Sequence, residues 1–258
     1  MKLVIAGFGF VGNAIYETFK NTFSLEIVDP KINGQKVKDI PDISGVICCV
    51  STPQSEDGSC NVDNVLDVIG NTPEHIPVLI KSTISIQGYN IIKEQFPNHN
   101  INFSPEFLRA NTAVEDMKRM SYTILSSGGC ADFWEVVFRK HYKNLMVLNY
   151  PIEDCIAIKY FENSFLATKL SFYNEMYDFC NAYNLNYENV RTGLGYDTRI
   201  GMSHTTVDPD AGFRGWGGHC FPKDTSALLN MAKIKSVGLN TLQAAVTYNN
   251  EIRNKQTP

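Results

Sequence analysis

The chain contains 258 residues, of which 43% are hydrophobic and 19% charged, with a formal net charge of −4. The apolar fraction is too high and the net charge too small for a disordered chain, and the length suffices for one large or two ordinary hydrophobic cores. A slightly acidic chain without a sustained Lys/Arg stripe excludes nucleic acid as a partner. No apolar run approaches the roughly 18 residues that span a bilayer, so we expect no membrane insertion. The N-terminus leads directly into a glycine-rich motif without a cleavage-site pattern, so we expect no signal peptide.

The first 150 residues alternate short apolar runs with helix-like segments, a pattern typical of a parallel α/β sheet. The apolar runs do not alternate with polar residues, as expected for strands that are covered on both faces. The predicted strands are Leu3–Ala6, Leu25–Val28, Val46–Val50, Val78–Ile80, Ile101–Phe103, Tyr122–Ser126 and Leu145–Leu148. The predicted helices between them include Gly12–Lys20, Val62–Gly70, Ile86–Phe96 and Ala131–Tyr142.

After Pro151 the pattern becomes helical. The segment Glu153–Tyr183 contains no Pro or Gly and predicts one helix, about 45 Å long at 1.5 Å per residue. That length exceeds a small domain and favours packing against a second subunit. Residues 193–223 are rich in Gly, Asp and Pro and predict a loop, and the last two predicted helices are Thr225–Lys233 and Leu239–Asn254. The expected architecture is α/β, with an N-terminal Rossmann-type parallel sheet (residues 1–150) followed by a helical domain with a long dimerisation helix and a cysteine loop (residues 151–258).

A glycine-rich turn, Gly-Phe-Gly-Phe-Val-Gly over residues 7–12, follows the first predicted strand and opens a helix. In this pattern the glycines permit a tight turn, a close approach of backbone to a pyrophosphate, and close helix–strand packing. Asp29 ends the second strand about 20 residues further on, where a carboxylate would hold ribose hydroxyls. Asp29 has no adjacent Arg, which favours NAD over NADP. The cofactor residues predicted here are Gly7, Gly9, Phe10, Val11, Gly12 and Asp29.

Polar side chains end the next three predicted strands, and the carboxyl ends of parallel strands supply active sites. Strand three ends in Ser51-Thr52-Pro53, strand four in Lys81-Ser82-Thr83, and strand five in Ser104-Pro105-Glu106-Phe107. We expect Thr52, Pro53 and Thr83 to contact the cofactor. Ordinary helix capping is the alternative for Ser51 and Ser82.

Lys159 and Asn163 lie four residues apart on the long helix and therefore share a face. A desolvated Lys beside an amide would stabilise a developing oxyanion during alcohol or aldehyde chemistry. A surface pair without catalytic function is the alternative.

Residues 212–224 are the segment with the most candidate functional side chains. Their sequence is Gly-Phe-Arg-Gly-Trp-Gly-Gly-His-Cys-Phe-Pro-Lys-Asp. Its glycines let backbone wrap closely around a ligand. Cys220 lies near His219 and Lys223, cations that favour a thiolate. A thiolate near nicotinamide can attack an aldehyde, give up a hydride from the thiohemiacetal and leave a thioester for water to hydrolyse. A buried structural thiol is the alternative.

The other six cysteines have no such setting. None of the seven forms a Cys-x-x-Cys pair or has a His at zinc-ligand spacing, so we expect no metal site. A disulfide framework usually has an even number of cysteines, so an odd number predicts a reduced, cytoplasmic protein. The seven are Cys48, Cys49, Cys60, Cys130, Cys155, Cys180 and Cys220.

These motifs together resemble the UDP-glucose/GDP-mannose dehydrogenase family. The matching blocks occur in the family's order: GFGFVG (7–12), KST (81–83), SPEFLR (104–109), a Lys-x-x-x-Asn-Ser-Phe-Leu-Ala run with a later Asn-Glu (159–175), DTRIG (197–201) and GWGGHCFPKD (215–224). The resemblance implies oxidation of a sugar 6-hydroxyl to a carboxylate with two NAD and one water, acting on a UDP-sugar in a homodimer. The expected product is a UDP-uronic acid such as UDP-glucuronate.

The resemblance also implies roles for individual residues. Cys220 would be the nucleophile, and Lys159 and Asn163 would stabilise oxyanions. Asp224 and Thr83 would hold the hydrolytic water, and Glu106 would act as its general base. The substrate-binding residues implied are Glu106, Phe107, Leu108, Arg109, Lys159, Asn163, Arg199 (reaching across the dimer) and Gly217 of the 211–217 loop.

Two departures from the family pattern stand out. Ala110 replaces the usual Glu after the Arg of SPEFLR, so either hydrolysis is slower or Glu106 acts alone. The chain also ends about where relatives begin a third domain that holds the nucleotide, so we expect either a truncated chain or a short form. A dehydrogenase of the 3-hydroxy-acid or 6-phosphogluconate type that transfers a single hydride, and a non-enzymatic NAD-binding dimer, remain the alternative functions.

Overall fold

The structure, a computed structural model, describes residues 1–209, 214–218 and 220–254. The chain divides into two compact units, which are described separately below. The first unit comprises Met1–Ser55 and Cys60–Lys159, and the second comprises Glu56–Ser59 and Tyr160–Pro258.

The first unit alternates strands with helices in chain order. They are β1 (Lys2–Ala6), α1 (Phe10–Phe19), β2 (Ser24–Val28), β3 (Gly45–Cys48), α2 (Asp63–Gly70), β4 (Val78–Ile80), α3 (Ile86–Gln95), β5 (Ile101–Phe103), α4 (Ala113–Lys118), β6 (Tyr122–Ser126), α5 (Ala131–His141) and β7 (Met146–Tyr150). Short 3-10 turns cover Val37–Asp39 and Ala110–Thr112. The predicted β3 ended at Val50, whereas the observed strand ends two residues earlier. The short α4 was not predicted.

Five strands form one parallel sheet in the order β2-β1-β3-β4-β5. This confirms the α/β architecture with a parallel sheet. Because β2 and β3 both pair with β1 on opposite sides, the direction of strand succession changes between β1 and β3. In open α/β sheets, ligands bind at the carboxyl ends of the strands at this switch point.

The strands β6 and β7 form a separate parallel pair. Side chains connect this pair to β5: Asn102 Nδ2 donates to the Ser126 carbonyl at 2.9 Å, and the Phe103 amide donates to Ser126 Oγ at 2.9 Å. Both Asn102 and Ser126 are fully buried. Their side chains therefore satisfy buried backbone groups that a continuous ladder would otherwise pair.

A single apolar cluster fills the space between the sheet and the helices α1, α4 and α5. Its largest fully buried side chains include Trp134 and Phe19, which pack with Leu3 and Ile5 of β1. Phe19 also makes an edge contact with Phe138 of α5 at 6.3 Å between ring centroids. Burial on both faces of β1 explains why every residue of this strand after the first is apolar.

The helix α6 (Ile152–Ala182) is continuous over 31 residues, as the sequence predicted, and the boundary between the two units falls within it. The second unit continues with α7 (Tyr187–Gly195), α8 (Phe221–Ile234) and α9 (Asn240–Asn254). Asn186 caps α7 by accepting a hydrogen bond from the Asn189 amide at 3.0 Å. The prediction of a loop over 193–223 is therefore wrong at both ends, since α7 extends to Gly195 and α8 begins at Phe221.

Three further findings concern only the residues described. No two cysteines are joined by a disulfide, and all seven lie in the described ranges. No helix in these ranges is both long enough and apolar enough to cross a membrane. Nowhere in the same ranges do three His, Cys, Asp or Glu side chains meet as ligands for a metal ion.

Candidate active site

The glycine-rich turn connects β1 to α1 at the switch point of the sheet. Gly7 has φ +92°, and a Cβ there would lie 2.7 Å from the backbone of Cys49 and Val50, which follow β3. A Cβ on Gly12 would lie 2.1 Å from the Gly7 carbonyl oxygen. These contacts explain two of the three glycines, since any side chain would push the turn apart.

Gly9 differs, because a Cβ there would meet nothing within 4 Å. Gly9 is the N-cap residue of α1 and offers no side-chain cap to the first turn of the helix. An open approach to a helix N-terminus fits the pyrophosphate of a dinucleotide. Of the neighbouring predicted residues, Phe10 is exposed and Val11 is half-buried.

Asp29 lies directly beside this turn. Its Oδ2 accepts a hydrogen bond from the Phe8 amide at 2.7 Å, and its Oδ1 accepts one from the Lys31 amide at 2.8 Å. Each carboxylate oxygen has a second lone pair for a ribose hydroxyl. The residues present therefore fit a dinucleotide held by the α1 N-terminus and the Asp29 carboxylate.

The other predicted cofactor residues follow β3 and β4. Thr52 is buried, Pro53 is exposed and Thr83 is half-buried. Ser82 is buried, and its Oγ donates to the Val50 carbonyl at 2.7 Å, so Ser82 ties two strand ends together. Helix capping was the alternative for Ser82, but the N-cap residue of α3 is Ser85, so Ser82 is not a helix cap.

Glu106, which follows β5, is only 9% exposed and sits in a charged cluster. Its Oε1 accepts hydrogen bonds from the amides of Phe107 and Leu108 at 2.8 and 2.9 Å. Its Oε2 lies 3.3 Å from Lys81 Nζ. Lys159 of α6 is also buried, and its ammonium donates to the Glu106 carbonyl oxygen. Two predicted residues, Glu106 and Lys159, are thus brought together within the first unit.

The charge of Glu106 affects its surroundings. Burial first, and the Glu106 carboxylate second, raise the pKa of the Tyr142 phenol well above its usual value. Burial first, followed by the nearby Cys48 thiol, raises the pKa of Cys49. Both side chains therefore stay neutral at pH 7.

The residues that follow Glu106 lie in different environments. The Phe107 ring lies 5.4 Å from Lys159 Nζ, a cation–π contact, and Leu108 packs against the hydrophobic core. Arg109 points outward with its side chain 69% exposed and is paired with Asp116 at 2.5 Å. Ala110 is exposed in the following 3-10 turn.

In the second unit, Asn163 and Asp224 form a buried pair. Asn163 Nδ2 donates to Asp224 Oδ2 at 2.5 Å, and Lys223 Nζ lies 2.6 Å from Asp224 Oδ1. Asn163 is 6% exposed and Asp224 is 1% exposed. Burial excludes the reading of Lys159 and Asn163 as a solvent-exposed pair, since both side chains have buried polar partners.

Cys220 is the N-cap residue of α8, directly before Phe221 and one turn from Asp224, whose amide donates to the Cys220 carbonyl at 2.9 Å. It is exposed, whereas the other six cysteines are buried or half-buried. A helix N-terminus favours a thiolate over a thiol. His219, the second cation predicted near Cys220, lies outside the described residues, as do residues 210–213 of the loop.

Trp216 anchors the described part of that loop. Its indole Nε1 donates to Ser171 Oγ at 2.9 Å, and its amide donates to Asn249 Oδ1 at 2.7 Å. The Trp216 carbonyl accepts hydrogen bonds from Asn249 and Arg253 of α9. Gly217 follows, where a Cβ would lie 2.2 Å from the Arg253 guanidinium. The backbone that leads to Cys220 is therefore held by α6 and α9.

Arg199 has a side chain that is 87% exposed and paired with Asp197 at 2.5 Å, so it lies apart from the buried site residues of its own unit. Lys81 was not predicted as a site residue, yet it is buried against Glu106. The signal was a lone Lys directly after three buried apolar residues.

Comparisons with known proteins find relatives that align with most of the chain. The central-domain profile of the UDP-glucose/GDP-mannose dehydrogenase family matches residues 154–251. The UDP-glucose 6-dehydrogenase of Campylobacter jejuni is 32% identical over 298 aligned residues, which cover 99% of this chain and 73% of that protein. The UDP-glucose 6-dehydrogenase of Rickettsia felis is 33% identical over 226 residues, which cover 83% of this chain and 49% of that protein.

A solved structure shows the same fold. The UDP-glucose dehydrogenase of the archaeon Pyrobaculum islandicum superimposes with a TM-score of 0.83 at 21% identity, covering 97% of this chain and 68% of that one. The fold defines a parallel α/β protein with a helical second unit. The chain belongs to the UDP-glucose/GDP-mannose dehydrogenase family, whose members are nucleotide-sugar dehydrogenases. It spans about half the length of the Rickettsia relative.

Proposed function

We propose that the chain acts as an NAD-dependent nucleotide-sugar 6-dehydrogenase that oxidises UDP-glucose, or a related UDP-sugar, to the UDP-uronic acid. The observation that carries this proposal is the setting of Cys220, an exposed cysteine at a helix N-terminus one turn from the buried Asn163–Asp224 pair. Membership of a nucleotide-sugar dehydrogenase family supports the substrate class. The absence of a disulfide among seven cysteines supports a cytoplasmic location.

NAD would supply the hydride acceptor in both oxidations, and the residues proposed to bind it are Gly7, Gly9, Phe10, Val11, Gly12, Asp29, Thr52, Pro53 and Thr83. In the first oxidation carbon 6 of the sugar loses a hydride and its hydroxyl loses a proton, which gives an aldehyde. The Cys220 sulfur adds to the aldehyde carbon and forms a thiohemiacetal. This carbon then loses a second hydride and a proton and becomes a thioester.

Hydrolysis completes the reaction. Water adds to the thioester carbon, Glu106 accepts the proton of that water, and the carbon–sulfur bond breaks. The proton on Glu106 passes to the Cys220 sulfur, and the second proton of the water is released when the product acid ionises, so the products are the carboxylate, the Cys220 thiol and a proton. Lys159 and Asn163 stabilise the negative oxygen that develops in each addition, and Thr83 and Asp224 orient the water. Phe107, Leu108, Arg109, Gly217 and Arg199 are proposed to contact the substrate.

A homodimer is part of the same proposal. Four phenylalanines on α6 and a tyrosine just after it are spaced by four or seven residues, so they form one stripe on the helix. All five are more than half exposed: Phe161, Phe165, Phe172, Phe179 and Tyr183. An apolar stripe of this length on a 31-residue helix favours a second copy of the chain as its partner.

The experiment that tests the function counts NADH released per sugar consumed. We expect two NADH per UDP-glucose, and we expect Cys220→Ala to abolish uronic acid formation. Cys130→Ala is the matched control, because Cys130 is likewise a helix N-cap without a side-chain cap bond and is half-buried. One NADH per substrate, unaffected by Cys220→Ala, would instead support transfer of a single hydride. No calorimetric binding of UDP-glucose, UDP-GlcNAc or GDP-mannose would support a non-enzymatic dimer.

A further inference from the structure

Lys81 carries a buried ammonium group that has no role in the reaction proposed above. It follows β4, and only 4% of its side chain is exposed. Its Nζ donates to Ser104 Oγ and to the Pro105 carbonyl, each at 3.1 Å. The same Nζ lies 3.3 Å from Glu106 Oε2, within the distance of an ion pair. A Lys is rarely buried unless paired, so this position needs an explanation.

The two oxygens of Glu106 are held unequally. Oε1 accepts two backbone hydrogen bonds, which fix the rotation of the carboxylate. Oε2 is buried and has no hydrogen-bond partner among the residues that the structure describes, although the Lys81 ammonium lies close to it. One oxygen is therefore fully used in positioning, and the other keeps its lone pairs for a proton.

We propose that Lys81 is a positioning residue that holds the ionised Glu106 carboxylate in place with Oε2 ready to accept the proton of the hydrolytic water. The inference rests on the proposed function, in which Glu106 is the general base. Lys81 itself makes no contact with the reacting atoms and acts only through Glu106.

The charges support this role. A carboxylate buried without a cation is strongly disfavoured, and an ammonium near it repays part of the desolvation cost. When water adds to the thioester, Oε2 takes one of its protons and the carbon–sulfur bond breaks. The proton then passes to the Cys220 sulfur, so Glu106 returns to its ionised form beside Lys81. Neither hydride step consumes a proton at Glu106.

The prediction is therefore specific to hydrolysis. In Lys81→Met we expect both hydrides to be released rapidly, giving a burst of two NADH per Cys220. Steady-state turnover falls about a hundredfold, the lower end of what a general base contributes, with KM for the sugar unchanged. Intact-protein mass spectrometry then detects a sugar thioester on Cys220 that wild-type protein does not accumulate.

The double variant Lys81→Met/Glu106→Gln separates a positioning role from a structural one. If Lys81 acts through Glu106, the double variant turns over no more slowly than Glu106→Gln alone. The matched control is Ser104→Ala, which removes another partner of Lys81 but keeps the ion pair, and we expect its turnover to stay within about twofold of wild type. Should Lys81→Met fail to fold, Lys81→Gln removes the charge while retaining a donor.

Two outcomes would overturn the inference alone: the burst and the steady state slowing equally in Lys81→Met, or the two single effects multiplying in the double variant. Wild-type protein that releases one NADH per sugar and never forms a thioester would overturn the proposed function, and the inference with it.

Discussion

Cys48 and Cys155 show why position rather than number matters for the cysteines. Burial raises the pKa of each thiol to about 11. At pH 8 a thiol with that pKa is about one part in a thousand thiolate, and the thiolate is the reactive form. Burial also raises the pKa of Cys130. The environments of these cysteines therefore oppose nucleophilic chemistry, whereas that of Cys220 permits it.

Alkylation tests this difference directly. We expect a limited amount of iodoacetamide at pH 8 to modify Cys220 first, with Cys48 and Cys155 protected until the protein unfolds, because a raised pKa lowers the thiolate fraction. Peptide mapping by mass spectrometry gives the order of modification. In Cys220→Ala the fast phase should disappear. Labelling of Cys48 or Cys155 before Cys220 would contradict the assignment.

The elements of the first unit were predictable because their pattern is local. Buried strands such as β4 are apolar throughout, and the glycines at 7, 9 and 12 mark the turn that follows β1. The helices α4 and α7 were missed because tertiary contacts and capping define them. Met117 of α4 is fixed by burial in the core, and α7 begins at its Asn186 cap and ends at Gly195, in a glycine-containing stretch that resembles a loop.

The candidate site shows the same difference between what local sequence patterns predict and what depends on tertiary contacts. Motifs predicted Glu106, Lys159, Asn163, Cys220 and Asp224 as candidates, but their partners depended on the fold. The ion pair between Lys81 and Glu106 joins residues from two different strand ends, and the pairing of Asn163 with Asp224 spans 61 positions in sequence. A single sequence carries no signal for such contacts.

Gly9 allows the cofactor turn to be tested without disturbing the fold. Because a Cβ at Gly9 meets nothing within 4 Å and φ is −74°, we expect Gly9→Ala to keep the melting temperature. The added methyl group would stand where a pyrophosphate must approach, so NADH affinity, measured by fluorescence titration, should fall at least about tenfold.

The control for this prediction is Gly193→Ala in α7, where a Cβ also meets nothing. Alanine in a helix stabilises by about 0.5–1 kcal/mol relative to glycine, so the melting temperature should rise slightly while NADH affinity stays constant. Equal NADH affinity in Gly9→Ala and wild type would argue against dinucleotide binding at this turn.

The stripe on α6 predicts how subunits associate. Phe172 lies at the centre of this stripe, and its side chain is 60% exposed. In a twofold dimer one substitution changes two copies, and burial of a Phe contributes about 1.5–3 kcal/mol per copy. We expect Phe172→Asp to weaken dimerisation at least a hundredfold, as measured by analytical ultracentrifugation.

Asn181→Asp is the control for that substitution, since Asn181 is exposed on the opposite face of α6. It should leave the sedimentation coefficient unchanged. A monomeric wild-type protein, or a dimer insensitive to Phe172→Asp, would require a different role for the stripe.

For the whole molecule, the question is whether one chain carries a complete set of substrate contacts. Arg199 is exposed, and its ion pair is with the neighbouring Asp197, whereas Asn163 and Asp224 are buried within the same unit. An Arg assigned to the substrate yet directed to solvent fits a residue that serves the partner subunit. If so, Arg199 and Cys220 of different chains build each working site.

Mixing two inactive variants tests whether Arg199 acts in the site of the partner subunit. Cys220→Ala and Arg199→Ala should each turn over poorly as homodimers, the first through loss of the nucleophile and the second through a raised KM. Random reassembly of equal amounts gives half heterodimers, and each has one site with both residues intact if Arg199 acts across the interface. We therefore expect activity to recover to about a quarter of wild type.

If Arg199 serves its own chain, every site lacks one residue and mixing restores nothing, because no site then combines an intact Arg199 with an intact Cys220. Adding Phe172→Asp to both variants should abolish any recovery, which ties the effect to the α6 stripe.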